Sequence, residues 1–449
     1  MGRPLGSADD LRRAALAVLA ANDLGGWTKP APRLYPHQWS WDSAFIAIGL
    51  ANVDLDRALR ELETLFDAQW ADGRVPHIVF NPQAGDYFPG PDWWASTRTS
   101  AAAPRDMATS GLIQPPVHAI ALQRIQRLAG HGRADAIEAR VKALYPRMVA
   151  WHRYLASARD SVGSGLLLIY HPWESGTDNS PRWDSALSRV TVGELPAYQR
   201  HDLKHVEDPS ERPTHSEYDR YLWLVELLKQ AGYDDPAIQR SHPFQIRDVL
   251  MSAIFAAASR ALAEVGEWLE RDAAEIQELR GFARRFGAGV QRAVDAELRL
   301  ALDWDDRAGQ AVRVETCAGL APLLVPDLPS DLLAMMVERL RGDGFAGAAG
   351  LAQRIVPSTV PGSPGFHARS YWRGPAWPMA NWLFWWALRQ HGQRSAAADL
   401  RTENLSLLER PTSRFAEYFE PYTAEPLGSL EQSWTAAVAL DWLAAGDEV

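Results

Sequence analysis

The chain has 449 residues, of which 47% are hydrophobic and 23% charged, and this composition is typical of a folded globular protein. Its formal net charge of -10 argues against a nucleic-acid partner, because phosphate backbones are bound mainly by clustered lysine and arginine. Cys317 is the only cysteine, so no intrachain disulfide can form, and we expect a cytoplasmic protein. We also expect no membrane span, because no apolar run approaches about 18 residues.

Helical periodicity dominates the chain. Leu55, Leu59, Leu62 and Phe66, for example, recur at the spacing that places side chains on one face of a helix. This spacing predicts twelve helices, near 9–21, 42–51, 55–69, 115–129, 135–157, 216–231, 247–265, 268–302, 329–341, 377–391, 394–408 and 430–444.

The helix near 216–231 has clear start and stop signals. Thr214 and Glu217 form the pattern of a capping box, and Gly232 stands where a C-terminal cap glycine is common. We therefore expect the boundaries of this helix to be well defined.

Twelve helices with few alternating strand patterns predict an all-α fold. Six helical hairpins arranged as a closed double ring, the (α/α)6 toroid, suit this number better than a four-helix bundle, and no fixed repeat favours a solenoid. We expect one catalytic domain over residues 1–449. Irregular segments near 71–114, 158–214 and 343–376 interrupt the helices, and we expect the first two to be loop insertions that form a lid over an active site.

Two irregular segments combine aromatic, amide and acidic residues. One runs from Tyr35 to Asp42 and the other from Trp173 to Asp184. A sugar needs this mixture, because its C–H faces lie flat on aromatic rings while its hydroxyls need carboxylate or amide partners. We expect Trp39, Trp41, Trp173 and Trp377 at the site, and the tryptophans of apolar helices in the core.

Glycoside cleavage requires two carboxyl groups, one to protonate the leaving oxygen and one to activate water or attack carbon. Asp178 lies in a tryptophan-flanked loop, and Glu417 lies between aromatic residues that could desolvate its carboxyl group. Their alternative roles are a helix cap for Asp178 and a salt bridge for Glu417. Asp42, Asp184 and Glu174 are the other acidic candidates.

Seven ordered segments resemble glycoside hydrolase family 63, and they are most similar to its bacterial glucosylglycerate and mannosylglycerate hydrolases. The segments are Tyr35 to Asp42, His77 to Phe80, Gln114 to Pro116, Trp173 to Asp184, Glu217 to Tyr221, Tyr371 to Trp377 and Phe415 to Trp434. The resemblance implies an (α/α)6 toroid and an inverting mechanism, with Asp178 as general acid and Glu417 as general base.

The same resemblance implies two groups of substrate-binding residues. The sugar is expected to contact Tyr35, Trp39, Trp41, Asp42, Gln114, Trp173 and Trp377, and the glycerate is expected nearer to His77, Tyr87, Arg212, Tyr218, Tyr371, Trp372 and Gln432. Gly176 is also expected to bind substrate. An arginine fork is the expected partner of an acidic leaving group, so Arg212 is the candidate for reading the glycerate carboxylate. A loop salt bridge for Arg212 and loop packing for Tyr87 are the alternatives.

The expected reaction is hydrolysis of 2-O-(α-D-glucosyl)-D-glycerate to glucose and D-glycerate. Mannosylglycerate or another small α-glucoside is the alternative substrate, and a sugar-binding protein or an epimerase on the same toroid is the alternative class. We expect no cofactor and no metal, because the spaced pair His201 and His205 lacks a third ligand. The expected partner is a small glycoside, with neither nucleic acid nor membrane, and a homo-oligomer is left open.

Overall fold

The computed structural model describes residues 7–85, 87–129, 134–200, 208 and 211–446. Within these residues, helices are the main secondary structure, and twelve α-helices have at least 11 residues. They are Ala8–Asn22, Ser40–Ala51, Leu55–Asp67, His118–Leu128, Ala134–Ala158, His215–Gln230, Val249–Trp268, Ala273–Arg292, Ser330–Arg341, Pro378–Gln390, Arg394–Glu409 and Ser433–Ala444. Each of the twelve predicted helices has a counterpart here, so the all-α prediction is confirmed.

The predicted helix 268–302 is too long. The chain forms the helix Ala273–Arg292 and then a short hairpin in which Val294–Asp295 pairs with Leu300–Ala301. The Asp295 side chain accepts backbone N–H groups of residues 297 and 298 at 3.0 and 2.8 Å. Such local bonds compete with helical ones, so the chain turns although its apolar spacing continues.

The sequence prediction also missed several helical segments. The 3₁₀ helix Cys317–Leu324 is buried along its whole length, and the helix Asp235–Ser241 begins where the Asp234 side chain caps it. The remaining segments are one-turn helices in the loops, at Pro91–Trp94, Ser96–Thr99, Pro172–Ser175, Pro181–Trp183, Asp184–Ser188 and Tyr371–Arg373. The capping box at Thr214 and Glu217 is present as predicted, and Gly232 has a left-handed φ of 66°.

Six helical segments contact one another in succession, and the last packs against the first. In order they are Ser40–Ala51, His118–Leu128, Val249–Trp268, Cys317–Leu324, Pro378–Gln390 and Ser433–Ala444. Each one also packs against a second helix, in the same order Leu55–Asp67, Ala134–Ala158, Ala273–Arg292, Ser330–Arg341, Arg394–Glu409 and Ala8–Asn22. The main apolar core lies largely among these twelve segments. The helix His215–Gln230 is not one of them, although Tyr218, Tyr221, Leu222 and Leu224 on it also belong to this core.

The helix Val249–Trp268 corrects the expectation that no apolar segment of the chain is long enough to span a membrane. By length and composition it is the one helix among the described residues that could cross a membrane. Of its most apolar window, however, 89% is buried inside the fold. Its apolar character is therefore explained by its place in the core.

The segments between the long helices form short strands and a second, smaller core. Gln38–Trp39 pairs with Ile78–Val79, and Tyr418–Phe419 pairs with Pro426–Leu427. A four-stranded sheet has the order Leu167–Ile169, Ile246–Asp248, Trp304–Asp305 and Gln310–Ala311. The smaller core joins residues of the 71–114 insertion, such as Trp94 and Leu112, to Val225 and Leu228 of the helix His215–Gln230. The insertions are thus packed elements that hold residues beside the site.

Candidate active site

Asp178 and Glu417 line one cavity. Of the residues predicted to bind substrate, the same cavity is lined by Tyr35, Trp39, Trp41, Asp42, His77, Tyr87, Gln114, Trp173, Gly176, Arg212, Tyr218, Tyr371 and Gln432. The helices Ser40–Ala51 and Ser433–Ala444 begin beside this cavity, since Asp42 lies in the first turn of one and Gln432 directly precedes the other. Residues from distant segments of the sequence therefore meet at one place.

Glu417 is held by a dense set of hydrogen bonds at the start of the strand Tyr418–Phe419. Tyr35 and Tyr371 donate their hydroxyls to its Oε1 at 2.9 and 3.2 Å. The backbone N–H of Ser429 donates to its Oε2 at 2.9 Å, and the Ser429 hydroxyl, which donates to Oε1 of Gln432 at 2.6 Å, lies 3.2 Å from the same oxygen. Burial raises the pKa of this carboxyl above its ordinary value, and the charge of Arg212 and these hydrogen bonds offset only part of that rise. Because the two tyrosine hydroxyls and the backbone N–H favour the charged form, the carboxylate is well placed to act as a base.

Gly428 allows this arrangement. Its φ is 70°, and a Cβ at this position would lie 2.4 Å from Cε1 of Tyr418 and 2.6 Å from Oε2 of Glu417. Both distances are too short for any side chain, so only glycine fits. The turn that brings Ser429 to Glu417 depends on it.

Asp178 occupies a different environment, in the loop between two 3₁₀ turns. Tyr221 donates its hydroxyl to the backbone oxygen of Asp178 at 3.2 Å, and the neighbouring Asn179 side chain accepts the backbone N–H of Trp372 at 2.9 Å. Burial raises the pKa of Asp178 to about 7, Arg212 lowers it, and Glu417 raises it further. A carboxyl group with this pKa carries its proton near neutral pH, as a general acid must.

Of the other acidic candidates, Asp42 lines the cavity, whereas Glu174 and Asp184 do not. Glu174 is fully buried and accepts two hydrogen bonds from Arg159, both at 2.8 Å, so it anchors the loop. Asp184 pairs with Arg373 at 2.6 Å outside the cavity. Asp42 does line the cavity, and burial together with the charges of Glu417 and Asp178 raises its pKa well above the ordinary value. Asp42 is therefore placed to bind hydroxyls beside the two carboxyls.

Aromatic rings form much of the cavity wall. The rings of Trp41 and Trp434 meet edge to face at 5.8 Å, and those of Tyr35 and Trp39 at 5.3 Å. Gly176 has a φ of 70°, and a Cβ there would lie 2.5 Å from the ring of Trp41. Its role in the structure is therefore to let the loop that carries Asp178 pass closely over this ring.

Trp372 and Trp377 are placed differently from the prediction, because neither lines the cavity. Both are buried, and their rings stack on each other at 4.0 Å with an angle of 6°. Trp377 also stacks on Tyr418 at 4.5 Å and contacts Tyr371 edge to face at 5.0 Å. The pair thus supports the wall that carries Glu417 and Tyr371 instead of facing the cavity itself.

Arg212 brings a positive charge to the carboxyls. Its guanidinium lies 4.6 Å from the ring centre of Tyr371, and its charge lowers the pKa of both Asp178 and Glu417. A cation near two carboxyl groups can also bind an anionic part of a substrate.

A sequence model of the mannosylglycerate hydrolase MGH1-like glycoside hydrolase domain matches residues 35–435. The chain is 47% identical to the glucosylglycerate hydrolase of Mycolicibacterium hassiacum, over 96% of this chain and 97% of that protein. It is 42% identical to the mannosylglycerate hydrolase of Thermus thermophilus, over 95% of this chain and 99% of that protein. The chain belongs to this glycoside hydrolase family.

Solved structures agree with this assignment. A mannosylglycerate hydrolase of Thermus thermophilus in complex with Tris and D-glycerate matches with a TM-score of 0.88 and 42% identity, covering 96% of this chain and 99% of that one. The glucose complex of the same enzyme matches with a TM-score of 0.84 and 40% identity over the same shares. The family resemblance predicted from the sequence motifs is confirmed, and this chain is a glycoside hydrolase.

This glycoside hydrolase has cavity residues that the sequence analysis missed: Arg33, Leu34, Ile78, Phe88, Pro89, Trp94, Pro213, Tyr221 and Trp434. Tyr221 lies one helical turn after Tyr218, and Trp434 follows Gln432 by two residues, so proximity to predicted residues was the available signal. The pair His201 and His205 lies outside the described residues. Among the described ones, no group of three or more histidine, cysteine or acidic residues has the geometry of a metal site.

Proposed function

We propose that this glycoside hydrolase cleaves 2-O-(α-D-glucosyl)-D-glycerate to glucose and D-glycerate with inversion at the anomeric carbon. One observation carries the proposal: the two buried carboxyls of one cavity differ in the hydrogen bonds that they accept. Burial raises the pKa of both carboxyls, that of Asp178 to about 7, but Glu417 accepts three hydrogen bonds that favour its charged form. An inverting reaction needs one protonated carboxyl as the acid and one charged carboxylate as the base.

In the proposed reaction, Asp178 gives its proton to the glycosidic oxygen as the bond to the anomeric carbon breaks. Glu417 takes a proton from a water molecule, and the oxygen of that water attacks the same carbon from the opposite face. Glycerate leaves with the proton of Asp178. Proton return from Glu417 to Asp178 through solvent completes the cycle, and no covalent intermediate forms.

Two features support an acidic leaving group. Arg212 lies over the Tyr371 ring at the same cavity as Asp178, where its guanidinium can bind a carboxylate with two hydrogen bonds. The relatives described above are named for hydrolysis of glucosylglycerate or mannosylglycerate. Glucose is proposed ahead of mannose because the glucosylglycerate hydrolase is the more similar of the two, at 47% against 42% identity.

We propose further that the fold is the (α/α)6 toroid, with residues 1–449 forming one catalytic domain. The closed succession of six helical segments, each backed by a second helix, supports a double ring. In this arrangement the buried 3₁₀ helix Cys317–Leu324 takes an inner position, and His215–Gln230 is an addition to the ring. The 71–114 and 158–214 insertions would form the lid, and their contribution of His77, Tyr87, Asp178 and Arg212 to the cavity supports this role.

A side-by-side release assay tests the substrate. Purified enzyme is given glucosylglycerate, mannosylglycerate and the uncharged glucosylglycerol, and free sugar and glycerate are measured. The proposal predicts the highest kcat/KM on glucosylglycerate. Faster release from mannosylglycerate would reverse the sugar assignment, and binding without release of any free sugar would favour a sugar-binding protein.

The Arg212→Ala and Arg212→Lys variants test the leaving group in the same assay. A two-bond arginine to carboxylate contact in a shielded cavity contributes on the order of 2 to 4 kcal/mol, or roughly 30-fold to 1,000-fold in binding. Both variants should therefore raise KM for glucosylglycerate, while glucosylglycerol should show no such rise. Equal losses on both substrates would mean that Arg212 supports the loop and does not read the carboxylate.

A further inference from the structure

His77 presents one ring nitrogen to the cavity and the other to the protein. It lines the cavity directly before the strand Ile78–Val79, and its side chain is almost fully buried. Its Nδ1 lies 2.5 Å from the hydroxyl of Ser110. Its Nε2 has no hydrogen-bond partner among the residues that the structure describes, and the cavity is the space left for one. The ring can therefore offer a single polar group to a bound molecule.

The hydrogen bonds of Ser110 decide whether His77 offers the cavity an N–H donor or a nitrogen acceptor. The Ser110 hydroxyl oxygen accepts the backbone N–H of Ile78 at 3.1 Å, and Ser110 is fully buried. A buried hydroxyl proton needs an acceptor, and Nδ1 of His77 is the one acceptor within reach among the described residues. The hydroxyl therefore donates to Nδ1, so Nδ1 carries no proton.

The imidazole is also neutral. Burial lowers the pKa of His77 well below the ordinary value, and the nearby His171 lowers it further. A neutral imidazole carries one ring proton, and with Nδ1 occupied by the serine proton this proton must be on Nε2. His77 then faces the cavity as a hydrogen-bond donor and not as an acceptor.

We propose that Ser110 is a positioning residue that fixes His77 in the Nε2–H form, so that His77 donates a hydrogen bond to an oxygen of the leaving group. The identity of that acceptor rests on the proposed function, because glycerate offers carboxylate and hydroxyl oxygens. The tautomer itself rests only on the contacts of Ser110. Since Ser110 does not line the cavity, it acts through His77.

The tautomer can be read directly by NMR on the full-length enzyme without substrate. Histidine is labelled with ¹⁵N, and the His77 signals are assigned by their loss in His77→Gln. The proposal predicts a protonated Nε2 and an unprotonated Nδ1 in the wild type at pH 7. A wild-type signal with the proton on Nδ1 would overturn it. In Ser110→Ala the two tautomers should mix, whereas Ser110→Thr, which keeps the hydroxyl, should retain the Nε2–H form.

Kinetics test the consequence for binding. Ser110→Ala should raise KM for glucosylglycerate about tenfold with a smaller change in kcat, because a neutral donor is no longer oriented. Glutamine at position 77 can present an N–H near the Nε2 position without any tautomer, so Ser110→Ala should have little further effect in a His77→Gln background. An equal rise of KM in both backgrounds would show that Ser110 acts by packing alone.

Failure of the proposed function and failure of the tautomer proposal can be told apart. If glucosylglycerate is not turned over, the proposed function fails, while the NMR result still decides the tautomer. If Ser110→Ala does not fold, the wild-type spectrum and Ser110→Thr still decide it.

Discussion

Replacing Arg212 with alanine should move the whole pH–rate profile to higher pH. Burial raises the pKa of Asp178 to about 7, and the charge of Arg212 holds it below the value it would otherwise have. The same charge lowers the pKa of Glu417. Removing the charge therefore raises both pKa values, so that Asp178 stays protonated to higher pH and Glu417 becomes ionised at higher pH.

The size of the wild-type effect follows from the pKa of Asp178. A carboxyl group with a pKa of about 7 is about one tenth protonated at pH 8, so kcat/KM there should be about a tenth of its plateau. In Arg212→Ala a larger fraction is protonated at pH 8, and the ratio of the rate at pH 8 to that at pH 6 should rise. Arg212→Lys keeps the charge and should leave this ratio near the wild-type value.

Initial rates from pH 5 to pH 9, at substrate concentrations well below KM, give the profile of kcat/KM. The comparison is made on glucosylglycerol as well, because loss of the carboxylate contact lowers the rate on glucosylglycerate at every pH. An alkaline limb that stays in place, or moves to lower pH, in Arg212→Ala would refute the assignment of that limb to Asp178 beside Arg212.

Three further variants test the carboxyls and their supports. Asp178→Asn and Glu417→Gln should each lower kcat by at least about 100-fold with an unchanged circular dichroism spectrum, and near-wild-type turnover in either would remove that residue from its role. Because the folded-state pKa of Asp178 lies above its ordinary value, its contribution to stability is lost as pH rises from about 4 through about 7, so Asp178→Asn should raise Tm at pH 8 but not at pH 4. Gly428→Ala should abolish activity because the added Cβ would meet Glu417. The control Gly362→Ala has a similar φ of 81° with open space around it, and it should keep activity. Similar losses of activity in both variants would point to backbone strain alone.

The sequence predicts helices well where one face is apolar. The stripe from Leu55 to Phe66 is an example, and the helix Leu55–Asp67 begins at the predicted residue. The 3₁₀ helix Cys317–Leu324 has no such stripe, because every residue in it is apolar or glycine and Pro322 interrupts it. A segment that is buried on all sides carries no periodicity by which to recognise it. For this reason the twelve predicted helices include 216–231, which matches His215–Gln230, and leave out Cys317–Leu324.

Site residues can be predicted from the sequence where their functional neighbours are adjacent in the chain. Asp178 and Glu417 stand in segments whose aromatic neighbours are adjacent in sequence, and the structure brings both to one cavity. The sequence does not show which way a ring points, so Trp377 was predicted at the sugar and Trp372 near the glycerate, although the two rings stack behind the cavity wall. Ser110 acts on His77 from 33 residues away, and no pattern in the sequence connects them.

The central claim is inversion at the anomeric carbon by Asp178 and Glu417. It is tested most directly by following the hydrolysis of glucosylglycerate by ¹H NMR from the first seconds, before the released glucose mutarotates. Inversion of an α-glucoside predicts that β-glucose appears first and that α-glucose grows in later. If α-glucose appears first, the configuration is retained, and the roles given to both carboxyls are contradicted.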